Sequence, residues 1–191
     1  MKKIALMALA ISLLFIACND KKSKDTPVTN DTTGKVTTDP NDGQAIIEEL
    51  SKLTPATADE MKALLPATLV GIAKSDENTK DDDGTMFSHA NYIKDDTSYM
   101  KLSFYDCAGS AGAGVYNMHL QDLSAPPVEE AKKYSKTIDF NGGKALESCY
   151  TLYRSCSLTY LGGNRYLVVI EETNLGGQAT VKQAAGELKF K

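Results

Sequence analysis

Two glycine-bearing turns, Asn141-Gly142-Gly143 and Gly162-Gly163-Asn164, most restrict what this chain can fold into. Asn-Gly tolerates the left-handed backbone of a tight hairpin, so these turns cut the C-terminal part into strand-length pieces. The pieces are Tyr134 to Phe140, Lys144 to Tyr150, Arg154 to Leu161 and Arg165 to Glu172. In the last of them Tyr166-Leu167-Val168-Val169-Ile170 is apolar on both faces, as a buried central strand is. Upstream, Met86 to Ile93 and Ser98 to Tyr105 flank a polar turn at Lys94-Asp95-Asp96-Thr97. Met100, Leu102 and Phe104 alternate with Lys101, Ser103 and Tyr105, the period of a half-buried antiparallel strand. Thr68 to Ala73 is a further strand, and Asp76 to Gly84 reads as a polar, acidic loop.

Helices flank these strands. Gln44 to Leu53 has apolar residues at helical spacing and stops at Thr54-Pro55. Thr57 with Glu60 three residues later is a capping box, which starts a helix that Pro66 closes. Ala108 to Gly114 leads into a helix over Val115 to Leu123, and Thr180 to Gly186 is a closing helix. Consecutive strands on tight turns imply an α+β fold, an antiparallel sheet of about six or seven strands with helices packed on one face. Residues 44–191, about 148 in all, suit one domain with one core.

The N-terminus sets these residues apart. Met1-Lys2-Lys3 is followed by Ile4 to Ala17, apolar except at Ser12 and short of the ~20 residues that span a bilayer. Leu14-Phe15-Ile16-Ala17-Cys18 resembles a bacterial lipobox, with Phe15 where that motif usually carries Leu. The resemblance implies cleavage after residue 17, lipidation of Cys18 and a cell-envelope location. Asn19 after the cysteine favours the outer membrane, by analogy with lipoprotein sorting. Residues 18–43 are rich in Asp, Thr, Lys and Asn and bury too little apolar surface to offset ordering entropy. They read as a tether about 25–30 Å from end to end.

Charge excludes one class of partner. Of 21 Lys and Arg residues, removal of Lys2 and Lys3 leaves 19 against 25 acidic ones, a net charge near −6. The densest basic run, Lys132-Lys133-Tyr134-Ser135-Lys136, adjoins Glu129-Glu130, so no basic face exists to displace counterions from nucleic acid. The absence of Trp weighs against carbohydrate stacking, and the nine tyrosines read as sheet-packing residues.

With Cys18 lipidated, Cys107, Cys149 and Cys156 remain. A tight hairpin centred on Leu152-Tyr153 sets Cys149 opposite Cys156, which permits a disulfide in an oxidising compartment. Leu-Tyr is poor turn chemistry, so two free buried thiols stay open as the alternative. Cys107 reads as a small buried side chain.

Ala108-Gly109-Ser110-Ala111-Gly112 imitates the nucleophile elbow of hydrolases. The chemistry needs a histidine base, and only His89 and His119 exist. His119 lies nine residues past Ser110 on one helix, about 13 Å along its axis. The same backbone, Gly109, Ser110, Gly112 and Gly114, could receive an anion or small ligand at a helix start. Asp81-Asp82-Asp83-Gly84 fails as a calcium loop, because Ala90 falls where a bidentate Glu is required. No His or Cys pair has zinc-ligand spacing, so no catalytic residue, metal or cofactor is assigned.

Three further runs complete the reading: Leu64-Leu65-Pro66-Ala67-Thr68-Leu69-Val70-Gly71, Asn141 to Glu147, and Gly163 to Glu171. They resemble a group of uncharacterised bacterial envelope-protein domains, which implies a fold and brings no activity. The expectation is a lipid-anchored envelope protein with a non-catalytic domain that binds another envelope protein or a small ligand. The competing expectations are a hydrolase centred on Ser110 and a thiol- or metal-handling envelope protein.

Overall fold

The computed structural model describes residues 39 and 42–190. Helix α1 (Gly43–Leu50) opens with Asp42, whose carboxylate accepts a hydrogen bond from the Ala45 N–H at 3.1 Å. Helix α2 (Ala58–Ala63) starts at Thr57 with both reciprocal bonds of the capping box. Thr68 to Ala73 is not one strand. Val70 and Gly71 both take positive φ, so β1 (Thr68–Leu69) and β2 (Ile72–Ala73) fold back on each other as a minimal hairpin.

The acidic segment is also a correction. Asp76–Asp82 is strand β3, and only Asp83-Gly84 turns, both at positive φ. β3 is an edge strand with one neighbour, so pairing with β4 (Thr85–Asp95) suffices without apolar side chains. Its charges also keep a bare strand edge from pairing with other chains. β5 (Ser98–Asp106), helix α3 (Gly109–Leu123) and the short β6 (Val128–Glu130) follow. Then come β7 (Lys133–Phe140), β8 (Gly143–Tyr150), β9 (Ser155–Gly162), β10 (Tyr166–Thr173) and α4 (Gln178–Glu187).

The class is α+β. Eight strands form one antiparallel sheet in the order β3-β4-β5-β10-β9-β8-β7-β6, beside the two-stranded β1-β2 sheet. Two meanders therefore meet along β5 and β10. The chain leaving β5 must reach the far edge five strands away, about 24 Å at sheet spacing. Helix α3, 15 residues and about 22 Å long, is the element that covers that distance.

Strand alternation divides the apolar residues in two. Leu102, Phe104, Leu158, Val168 and Ile170 form the larger core with Met61 of α2 and Val181 and Ala184 of α4. The expected packing of helices on one face is met by α2 and α4. Tyr105, Leu161 and Leu167, which alternate with those residues, pack with Ala113 and Tyr116 of α3 and Ile46 and Leu50 of α1. This leaves part of the second face uncovered.

Candidate interaction face

On that second face the registers are continuous from strand to strand. Ile93 pairs with Tyr99, Tyr99 with Thr173, Thr173 with Ser155 and Ser155 with Tyr150, one row across β4, β5, β10, β9 and β8. Ile93 is 52 % exposed, Tyr99 44 % and Tyr150 40 %. The β8–β9 loop adds Leu152 and Tyr153, both about two-thirds exposed. Lys133 caps the row, its ammonium 5.4 Å from the centre of the Tyr150 ring, within cation–π range.

The next row inward is polar: Asn91, Lys101, Glu171, Ser157, Ser148 and Ser135. The Ser135 and Ser148 hydroxyls lie 2.7 Å apart and satisfy each other. Tyr99, Lys101, Tyr150, Ser157, Glu171 and Thr173 line a shallow hollow of about 360 Å³ here. Aromatic and aliphatic side chains around polar groups are what a protein-binding surface presents. The sequence hid this face because the tyrosines divide by strand parity: Tyr92 and Tyr160 are buried, whereas Tyr99 and Tyr150 are not. Tyr99 standing at the polar-side positions with Lys101 and Ser103 was the available signal.

The glycine loop has a different place. Gly109, Ser110, Gly112 and Gly114 all lie within α3, which starts six residues earlier than the apolar spacing suggests. A Cβ at Gly112 would stand 2.4 Å from the Asp106 carbonyl oxygen, so this glycine seats the helix against the end of β5. Gly109 takes positive φ against Pro55. Ser110 is exposed, and among the described residues no hydrogen bond joins it to a histidine. His119 is 3 % exposed and its Nε2 has no partner. Burial pushes the His119 imidazole down to about 4.

Cys149 and Cys156 are direct partners in the β8–β9 ladder, with Cα atoms 4.1 Å apart, and a disulfide joins them. Cys107 is free and fully buried, and burial pushes its thiol up to about 12, where it is a poor nucleophile. Cys18 lies outside the described residues. Among those described, no group of three or more His, Cys, Asp or Glu side chains could hold a metal ion. No helix among them is long and apolar enough to cross a membrane. Comparison with protein-family models, with curated proteins and with solved structures finds no match for this chain.

Proposed function

We propose that this chain is a lipid-anchored protein of the bacterial envelope, and that its α+β domain binds another envelope protein without catalysis. Two features support the address: the lipobox-like Leu14 to Cys18, and a Cys149–Cys156 pair of the kind oxidising compartments sustain. The observation that carries the binding role is the exposed row of Ile93, Tyr99 and Tyr150, extended by Leu152 and Tyr153. Tyr-rich patches with a polar surround supply most of the energy at protein interfaces, a few residues dominating.

The test is capture of the tagged full-length chain from its own envelope in mild detergent, beside the Tyr99→Ser/Tyr150→Ser variant. The wild type retains one stoichiometric protein and the variant loses it. A partnerless wild type overturns the binding reading. Fatty-acid labelling that disappears in Cys18→Ser supports the anchor, and an unlabelled wild type removes it.

A further inference from the structure

The exposed apolar residues come from two hairpin ends that are fastened in different ways. Ile93 and Tyr99 flank the β4–β5 turn, where the Asp95 carboxylate accepts the Thr97 N–H at 2.9 Å and the Thr97 hydroxyl at 3.0 Å. That turn carries its own fastening. Tyr150, Leu152 and Tyr153 belong to the β8–β9 end, where Thr151-Leu152-Tyr153-Arg154 holds none of the residues that favour a tight turn. Arg154 also takes a positive φ of 47°, which its Cβ disfavours.

The Cys149–Cys156 disulfide closes this second end. Outside it the β8–β9 ladder has only the Tyr150–Ser155 pair before the turn begins. On its inner side Cys156 also pairs with Glu172 of β10, within the continuous sheet. The turn is tied further by the Thr151 N–H, which donates to the Lys132 carbonyl at 3.0 Å. Asn174 joins the two ends: its N–H donates to the Arg154 carbonyl at 3.0 Å, and its side-chain amide donates to the Thr97 carbonyl at 2.7 Å. Residues 151–154 are exposed and belong to neither core, so their release leaves both cores packed.

We propose that the Cys149–Cys156 disulfide gates the interaction face. Closed, it presents Tyr150, Leu152 and Tyr153 beside Tyr99; exchange with a dithiol opens it and releases them. The gate rests on the binding role proposed above. The disulfide is reachable, because both cysteines are half-buried and line a hollow of about 330 Å³ with Thr151, Arg154, Asn174 and Gly177. A Cβ on Gly177 would lie 3.4 Å from the Cys156 sulfur, so the start of α4 covers that sulfur and leaves Cys149 for attack.

A dithiol's thiolate attacks Cys149 Sγ. A new S–S bond forms there, the Cys149–Cys156 bond breaks, and Cys156 Sγ leaves with the electron pair. The dithiol's second sulfur, its proton lost to water, attacks its own partner sulfur in the mixed disulfide and displaces Cys149 Sγ. Both protein thiolates take protons from water. The protein gains two electrons and two protons, and the dithiol becomes a disulfide.

The test is dithiothreitol reduction of the folded full chain, with the new thiols alkylated and counted by mass and backbone hydrogen exchange followed alongside. We expect Cys149 and Cys156 to be released while Cys107 stays protected. The Thr151, Arg154 and Asn174 amides should then exchange about tenfold or more faster, with those of Leu102 and Val168 unchanged. A disulfide that reduces only as Cys107 becomes exposed overturns the gate, as do turn amides that keep the oxidised rate. Capture from the envelope, wild type beside Cys149→Ser/Cys156→Ser, separates the gate from the binding role beneath it. A partner held by the wild type and mostly lost by the variant supports the gate. Equal retention overturns the gate and leaves the binding role standing, whereas no partner on either form overturns both.

Discussion

Asp106 and Arg165, 59 positions apart, form a buried two-point ion pair, with Nε to Oδ1 at 2.8 Å and Nη2 to Oδ2 at 3.0 Å. The same carboxylate accepts the Ala56 N–H at 2.6 Å, and Arg165 Nη2 also donates to the Thr54 carbonyl at 2.8 Å. The Cys107 N–H donates to the Arg165 carbonyl at 3.1 Å. One pair thus holds the loop between α1 and α2, the end of β5 and the start of β10. Arg165→Ala leaves a fully buried carboxylate without its cation. Urea unfolding should show a loss of about 3–5 kcal/mol, whereas a change under 1 kcal/mol would make the network dispensable.

Gly112 and Gly114 sit two residues apart on α3 and should respond in opposite directions. Gly112→Ala drives a methyl into the Asp106 carbonyl and should cost about 1–3 kcal/mol. Gly114 has nothing within 4 Å of a built Cβ, so Gly114→Ala should gain about 0.5–1 kcal/mol from helix propensity. Thermal unfolding of the two variants gives both signs in one experiment.

His119 makes stability depend on pH. Its folded value is pushed down to about 4, below the ordinary 6.5, so the unfolded chain binds the proton more readily. Stability from this group is intact above 6.5 and is lost as pH falls toward 4. Between pH 7 and pH 5 the loss is about 2 kcal/mol. Comparison with His119→Gln cancels the carboxylates, and the wild-type slope should exceed the variant's by that amount.

The disulfide closes a short loop, its cysteines seven positions apart. Chain entropy assigns such a loop about 2–2.5 kcal/mol. The Cys149→Ser/Cys156→Ser variant should lose that much in denaturant melts, with Cys107 still protected from alkylation until the domain unfolds.

The regular strands were legible because each carries its own period. Met100, Leu102 and Phe104 alternate with polar neighbours, and β5 runs from Ser98 to Asp106, one residue past the expected end. The Thr57–Glu60 capping box likewise formed where the sequence placed it. β3 escaped because an exposed edge strand is held by its partner's backbone and leaves no apolar trace in Asp76–Asp82. The early start of α3 escaped because Gly112 is a poor helix former held in place by contact with β5, a long-range term absent from local propensity.

The sequence by itself determined the α+β class and the antiparallel hairpins at the glycine turns, since these follow from period and turn residues over a few positions, whereas the ladder of the folded sheet settled that Cys149 stands opposite Cys156. Only the tertiary structure decided that Arg165 meets Asp106, that Glu172 stands beside Cys156, and that Tyr99 and Tyr150 share an uncovered face. Those relationships depend on which strands become neighbours and where α3 crosses the sheet. Neighbour order is set by burial summed over the whole domain, and no local pattern of residues encodes it.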